Sequence, residues 1–464
     1  MAGEKRICYP LAMRMQIAKD IKELATIFRE AGFSLYLVGG AVRDWILGKT
    51  NNDYDFTTDA EPEEIKKLFR RTIDTGIKHG TVTVIFHSAH YEITTFRTEG
   101  DYLDSRHPES VKFVKSLEED LKRRDFTINA FAASLPDGKI LDYHGGLKDL
   151  RKGLIRAIGN PAERFQEDAL RMMRGARFAS QLDFKIEEET AQAMAALHET
   201  IAKVSAERIK EELWKLIGGI NPRRGLEALR TSGIMSVILP ELAATYGFEQ
   251  GGMHRETLYE HLMLALECAK EHEYPMHVRL AALFHDIGKT ETRADGDEER
   301  EWTFYGHDKA SAKMTDAIFR RLKTSNEERE RVTHLIREHM FSYTPDWSDS
   351  AVRRFINRVG EENINSLLQL RVCDISATVG HRAVLDNLFA FADRINAELE
   401  KDNALSLKDL KINGKKLKEL GIKPGPQMGT ILNTLLDEVI EAPSLNNEEY
   451  LEKRALSLAQ CLGQ

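Results

Sequence analysis

Through the first 130 residues the spacing of apolar positions changes repeatedly, and each change marks a new element. Residues 17–31 repeat apolar side chains at helical spacing, and residues 35–38, LYLV, form an apolar run of strand length. Gly39-Gly40 breaks that run where a backbone could approach a ligand, and residues 41–47 read as a helix start whose free N–H groups would face an anion. Asn51-Asn52 makes a turn. Asp53 and Asp55 follow in an extended segment, where residues two apart share a face. Pro62 stands near the start of a helix predicted over 62–71. Val82, Val84 and Phe86 alternate, and residues 91–96 are rich in β-branched and aromatic side chains, so both stretches predict strands. Residues 97–110 are polar and turn-rich and predict a loop.

Further on the period becomes helical. Asn160-Pro161-Ala162-Glu163 combines an N-cap residue, a proline for the first helical position and a glutamate three residues on. It predicts one helix over 164–179, with Asp168 and Arg171 on one face and Arg174 and Arg177 continuing the row. After Asn221-Pro222 the pattern is helical almost throughout, and Gly414, Gly421, Gly425 and Gly429 punctuate the last helical pieces. The chain reads as α+β: a small sheet with helices, then an all-helical remainder, with no internal repeat.

Composition narrows the class. At 464 residues and 42% hydrophobic content the chain is a globular protein with room for two to four domains. It holds no apolar run long enough to span a membrane and no signal-peptide core at its start, so the expectation is a cytoplasmic protein. Cys8, Cys268, Cys373 and Cys461 lack metal-ribbon spacing and are expected as free thiols, mostly packed. A net charge of -8 confines any RNA contact to local basic clusters such as 122–124, 171–177, 223–224 and 411–418, although such charge runs are more often solvated helix faces than binding sites.

The candidate chemistry concentrates in a few places. Two carboxylates on one face, Asp53 and Asp55, suit a hard cation such as Mg2+. Arg43 adds a fixed charge beside the glycines, Arg124 could meet triphosphate oxygens in a bidentate contact, and Asp125 could accept a ribose hydroxyl. Asp168 could accept from the exocyclic amine that cytosine and adenine share, and Arg171 could donate to the adjacent ring acceptors. Uracil and guanine carry a carbonyl at that edge. The alternative for Asp168 and Arg171 is an intrahelical ion pair worth a few tenths of a kcal/mol.

The stretch 35–58, LYLVGGAVRDWILGKTNNDYDFTT, closely resembles motif A of the class II nucleotidyltransferases, the family of tRNA CCA-adding enzymes and bacterial poly(A) polymerases. Residues 117–130 resemble its motif B, residues 141–150 its motif C, and Glu167-Asp168-Ala169-Leu170-Arg171 its base-selecting EDxxR motif. Residues 205–213, SAERIKEEL, resemble the neck motif that follows and read as helix packing with an RNA contact as a further role. The resemblance implies that Asp53 and Asp55 hold Mg2+, that Glu92, in a YExTTxR context, is a metal-side carboxylate, and that Gly39, Gly40, Arg43 and Arg124 position phosphates. It also implies that Asp125 meets the sugar, that Asp168 and Arg171 read the base with support from Arg174 and Arg177, and that motif C is a structural hinge. In CCA-adding relatives a flexible loop with a DxRRP-like run serves the change from C to A addition; here Asp104-Ser105-Arg106-His107-Pro108 matches except at His107.

A second constellation, His261, His285-Asp286 before Gly288-Lys289, His307, His339 and Asp374, resembles an HD phosphohydrolase domain. Imidazoles and carboxylates suit a transition metal such as Ni2+ or Mn2+, or Mg2+. His254, His272, His277 and His334 are expected to be structural. The implied division is a nucleotidyltransferase head over 1–155, a helical neck over 156–225, an HD domain over 226–395 and a helical tail, with a candidate tRNA contact, over 396–464. The implied reaction is addition of CCA to a tRNA 3' end from CTP and ATP, with release of pyrophosphate. Alternatives are an A-adding relative, a poly(A) polymerase and a non-catalytic RNA-binding or nucleotide-sensing protein. TGIKHG at 75–80 departs from the GRRF-like segment of the polymerases.

Overall fold

Leu35 and Leu37 point to one side of a strand and Tyr36 and Val38 to the other, and each pair meets its own apolar cluster. In this computed structural model, which describes residues 13–51, 53–99, 111–251, 256–296, 301–378, 382–401 and 404–462, that strand lies inside a seven-stranded sheet. The amphipathic run before it forms α1 (Lys19–Glu30), which buries Ile21, Leu24, Ala25 and Phe28. Then come β1 (Leu35–Val38), α2 (Gly40–Ile46), β2 (Asp55–Thr58), α3 (Pro62–Leu68), β3 (Thr72–Gly76), β4 (Thr81–Phe86) and β5 (Ala89–Thr95).

β6 (Arg97–Glu99) and β7 (Val111–Phe113) pair as a separate antiparallel ribbon with Arg97 opposite Phe113. The loop expected over 97–110 is therefore shorter at its start. Arg97, Thr98 and Glu99 have no apolar periodicity of their own, and their ladder partner lies beyond the polar run, so pairing rather than local pattern makes them a strand. The remainder of that loop, including Asp104 to Pro108, lies outside the described residues, as do His254 and Cys8.

The main sheet has the order β3-β4-β5-β2-β1-β8-β9 once α4 (Leu117–Lys122), β8 (Phe131–Ser134) and β9 (Lys139–Asp142) are added. β1 runs antiparallel to β2 and β8, and β2 runs parallel to β5. One face packs Leu35, Leu37, Phe56, Val84 and Ile93 against Leu24 and Phe28 of α1 and Val42 of α2. The other face packs Val38 and Ala132 against Leu117 and Leu121 of α4. Each fully buried side chain of this kind contributes about 1.5–3 kcal/mol.

After α5 (Gly146–Lys152) the chain turns helical: α6 (Pro161–Glu167), α7 (Leu170–Leu182), α8 (Glu188–Leu197), α9 (Ala206–Ile217), α10 (Pro222–Thr231), α11 (Ile234–Ile238) and α12 (Pro240–Ala243). The single helix expected over 164–179 is two helices. Asp168 is extended, with φ -145 and ψ 105, so the helix that began at Pro161 stops at Glu167 and a new one starts at Leu170. α7 packs closely on α9 and α10 because Gly225 carries no side chain. A Cβ there would stand 2.7 Å from Leu216 Cγ and 2.9 Å from the Ala176 carbonyl oxygen.

The elements so far make one compact unit, residues 1–243 with 321–323, and residues 244–320 with 324–464 make a second. The second unit contains α13 (Leu258–Glu271), α14 (Met276–Phe284), α15 (Lys289–Thr292), α16 (His307–Arg321), α17 (Asn326–Glu338), α18 (Asp349–Val359), α19 (Glu361–Ala377) and α20 (Arg382–Leu399). α21 (Gly414–Glu419), α22 (Pro426–Glu441) and α23 (Glu448–Leu462) close around their own core of Leu417, Ile431, Leu435 and Leu451. The chain is thus mixed α+β. Among the described residues no helix is long and apolar enough to cross a membrane. Cys268 and Cys373 are buried free thiols and Cys461 is an exposed one. His277 and His334 have structural partners, Ser366 Oγ at 2.8 Å and the Val359 carbonyl at 2.7 Å.

Candidate active site and metal centre

A cleft of about 690 Å3 in the first unit gathers nearly every head and neck residue singled out from the sequence: Gly39, Gly40, Arg43, Asp53, Asp55, Arg124, Asp125, Asp168, Arg171, Arg174 and Arg177. Asp55 opens β2 with an exposed side chain, while Phe56, Thr57 and Thr58 behind it are buried. The parallel pairing of β2 with β5 sets Asp55 beside Glu92, also exposed. Glu92 thus flanks the aspartates without lining the cleft. Asp53 lies just before the strand, its N–H held by Asn51 Oδ1 at 2.8 Å. The side chain opens into the cleft, but the protein around it displaces enough water to raise the Asp55 carboxyl above its ordinary value; Arg124 pulls it down, and Asp53 and Glu92 push it up. Carboxylates that destabilise one another's charge in this way suit a cation.

The phosphate-facing groups differ in how they are satisfied. Gly39, at φ +73, starts α2, and a Cβ there would stand 3.0 Å from an Arg124 guanidinium nitrogen and 4.0 Å from Asp55 Oδ2. Only a glycine leaves the space between that cation and that carboxylate open. Arg43 is buried and already partnered. It donates to Asp44 Oδ1 at 2.8 Å and to Asn129 Oδ1 at 2.7 Å. Arg124 is different: its Nε is buried with no hydrogen-bond partner. Burial pulls its guanidinium below the usual value, and Asp120, Asp55 and Asp125 work the other way. A buried cation with an unsatisfied donor fits an oxyanion that arrives with the substrate.

Asp125 accepts from the Phe126 N–H at 2.8 Å and Asn129 Nδ2 at 3.1 Å on one oxygen, and from Arg174 Nε at 2.6 Å on the other. Burial pushes its carboxyl up, but Arg174 and Asn129 outweigh that and hold it at about 2. Arg177 pairs with Glu212 at 3.1 Å and lies over the Phe178 ring at 4.2 Å; burial and Arg174 lower it to about 10.

Asp168 and Arg171 do not pair with each other. Asp168 Oδ1 accepts from the Leu170 N–H at 3.1 Å and Oδ2 from Arg208 at 2.7 Å. Arg171 pairs with Glu167 and donates to the main-chain carbonyls of Arg164 at 3.2 Å and Arg123 at 3.1 Å. The intrahelical ion pair is absent because the helix breaks at Asp168, which removes the shared face. The cleft also brings in residues the sequence did not single out: Asn51, Arg123, Asn129, Gln181, Arg208 and Lys215. Asn129 and Arg123 stand inside motif B and Arg208 inside the neck motif, so the motifs held the signal, while their distance in sequence from Asp168 concealed the contact. Motif C is structural: Asp142 accepts from the Gly146 and Leu147 N–H groups, and Asp149 from Thr127 and Arg156.

In the second unit six further side chains converge. His261, His285, Asp286 and Asp374 form one group with ligand atoms within 4.8 Å of one another, and Asp286, His307 and His339 form another. Asp286 belongs to both. Its Oδ2 lies 3.6 Å from His261 Nε2 and 3.5 Å from His285 Nε2, and its Oδ1 lies 3.2 Å from His307 Nε2 and 3.4 Å from His339 Nε2. Asp374 Oδ1 is 3.2 Å from His261 Nε2 and 3.4 Å from His285 Nε2. His285, His307 and His339 each donate Nδ1–H to a backbone carbonyl, of Ala282, Phe304 and Ile336 at 3.0, 2.8 and 2.6 Å. That bond fixes the tautomer and leaves Nε2 as a lone pair facing the centre, as a metal-binding imidazole requires. Asp286 Oδ1 is buried without a hydrogen bond, so the donor set fits a metal. Burial works against ionisation of Asp286, but Lys289, 2.6 Å away, and His285 hold its carboxyl well below the usual range.

A mixed sheet that delivers paired carboxylates beside a glycine turn, and helices α7 and α9 that complete the same cleft, define a nucleotidyltransferase. The family model described as Poly A polymerase head domain matches residues 35–156. The chain is 38% identical over 437 residues to the CCA-adding enzyme of Ligilactobacillus salivarius, covering 93% of this chain and 94% of the relative, and 55% identical over 213 residues to that of Enterococcus faecalis, covering 45% of this chain and 52% of the relative. Among solved structures it resembles the Bacillus stearothermophilus CCA-adding enzyme in complex with CTP, with a TM-score of 0.70, 28% identity and coverage of 96% and 98% of the two chains. The chain belongs to the CCA-adding enzymes.

Proposed function

We propose that this chain adds C, C and A to the 3' end of tRNA without a nucleic-acid template, in the cytoplasm, by the division into head, neck, HD domain and tail given above. One observation carries the reading: Asp53 and Asp55, the unsatisfied Arg124 and the pair Asp168 and Arg171 line a single cleft although they come from positions 53 to 171 of the chain.

The RNA 3'-hydroxyl oxygen attacks the α-phosphorus of CTP or ATP, the bond to the β-phosphate oxygen breaks, pyrophosphate leaves, and the hydroxyl proton passes to solvent or a nearby base. Asp53 and Asp55 would hold Mg2+, flanked by Glu92, and the bound ions supply charge neutralisation at the attacking and leaving oxygens. Arg124 takes phosphate oxygens into its open donor, and Arg43 braces Asn129 and thereby the Asp125 carboxylate. One acceptor position of Asp125 Oδ2 is left for a ribose hydroxyl. Asp168 accepts the exocyclic amine of cytosine or adenine and Arg171 donates beside it, with Arg174 and Arg177 fixing the wall behind them.

The test uses tRNA ending at the discriminator base, supplied with CTP alone, ATP alone or both. Full CCA appears only with both nucleotides. An A-adding relative would act on tRNA ending in CC alone, and a poly(A) polymerase would extend with ATP indefinitely. Asp53→Ala should abolish incorporation and leave tRNA binding within about twofold; retained turnover would overturn the metal assignment.

A second activity, metal-dependent hydrolysis of a phosphate ester at the HD site, is favoured by the three imidazoles whose Nδ1–H groups are tied to backbone carbonyls while Nε2 faces Asp286. His261, His285, Asp286, His307, His339 and Asp374 would hold the ion, and Ni2+, Mn2+ and Mg2+ are the candidates.

A further inference from the structure

The α9 helix touches the base-reading wall at three levels. Arg208 reaches Asp168 at 2.7 Å, Glu212 reaches Arg177 at 3.1 Å, and the Leu216 carbonyl accepts from Ser180 Oγ at 2.6 Å. The three positions are four residues apart, so one face of α9 makes all three contacts. The lower two fix the register of α9 against α7, and Arg208 is thereby delivered to one place.

That place is the Asp168 carboxylate. An aspartate carboxyl turns through a broad torsional well, so its plane is defined only by what it binds. Here Oδ1 accepts from the Leu170 N–H and Oδ2 accepts from Arg208. The Leu170 bond is local and follows from the helix break. The Arg208 bond crosses between helices and is the one that sets the plane. Base selection by a carboxylate depends on that plane, because a lone pair must meet the in-plane amine of cytosine or adenine.

We propose that Arg208 is a positioning residue for base selection: by clamping Asp168 Oδ2 it aims the free lone pairs of the carboxylate into the cleft, and so decides whether C and A are preferred over U and G. This rests on Asp168 being the group that reads the base.

The experiment measures incorporation of each of the four nucleotides into tRNA lacking its terminal residues, for the wild type, Arg208→Ala, Arg208→Lys and Asp168→Ala. Arg208→Ala should lower the preference for CTP over UTP, taken as the ratio of kcat/KM values, at least tenfold, with KM for CTP and ATP rising more than kcat falls. Arg208→Lys should restore most of the preference, and Arg208→Gln, which keeps one donor, serves if the alanine variant does not fold. An unchanged preference in the Arg208 variants, with preference lost in Asp168→Ala, overturns the role of Arg208. An unchanged preference in Asp168→Ala overturns the base-reading assignment itself. A fall in kcat alone, with the preference intact, also counts against the inference, since it describes a prop for α9 and nothing more.

Discussion

At the scale of single residues, the cleft is built from charges that are mostly spoken for. Asp125 shows what that is worth. Its carboxyl is held at about 2 against an ordinary 3.8. A depressed folded-state value stabilises the fold above the unfolded value, and the contribution is lost as pH falls from about 4 towards 2. The shift corresponds to about 2 kcal/mol. Asp125→Asn should therefore unfold at a lower urea concentration at pH 7, and the gap from wild type should close as the pH is lowered through that window; a gap independent of pH would mean the loss is steric. The carboxylates and arginines themselves were legible from the sequence because the glycine pair, Asp53, Asp55 and Arg124 stand in short motifs whose residue types suit phosphate and metal. Their partners were not. Nothing in the spacing of residues 168 and 208, or 125 and 174, tells which cation meets which anion, since those pairings depend on how α7 and α9 cross.

Among elements, the helix break is the informative case. Residues 164–179 carry the periodicity of one helix, with good caps at the start, and local propensity contains no stop signal at Asp168. The interruption is held from outside the helix, by Arg208 on Asp168 Oδ2 and by the Arg123 carbonyl that accepts from Arg171. The short β6–β7 ribbon escaped for the related reason that a ladder partner far along the chain cannot be seen locally. By contrast, α1, β4 and β5 follow their hydrophobic period directly, because each turns one apolar face to the core, and β1, apolar throughout, is packed on both faces. Helix packing also yields a pair of opposite outcomes. Gly225→Ala raises helix propensity by about 1 kcal/mol, yet its Cβ would meet Leu216 and the Ala176 carbonyl below 3.0 Å. Urea denaturation should show a net loss of about 1–3 kcal/mol. Gly429→Ala in α22, where a Cβ has open space around it, should stabilise by up to about 1 kcal/mol.

For the whole molecule, two sites of different chemistry sit in two separate units, one reading nucleotides and one gathering imidazoles. They should be separable by mutation. His285→Ala together with Asp286→Ala should abolish hydrolysis of bis-p-nitrophenyl phosphate in the presence of Ni2+, Mn2+ or Mg2+ while CCA addition stays within about twofold of wild type; hydrolysis that survives the double substitution would remove the HD assignment. The sequence displayed these ligands by residue type. The sharing of Asp286 between two sets of histidines emerged only when α16 and α17 were folded against it.

The charge of the cleft has a further consequence. The chain as a whole carries a net charge of -8, yet the cleft wall sets eight cations, Arg43, Arg123, Arg124, Arg171, Arg174, Arg177, Arg208 and Lys215, against the four aspartates at 53, 55, 125 and 168. The cleft wall thus has a positive balance while the rest of the chain is net negative, so a polyanion is drawn to the cleft more than to the chain as a whole. Such a field acts as a funnel: it speeds the arrival of a polyanionic substrate at the cleft. The negative balance of the rest of the chain, which confines RNA contact to local basic clusters, then helps make those encounters selective.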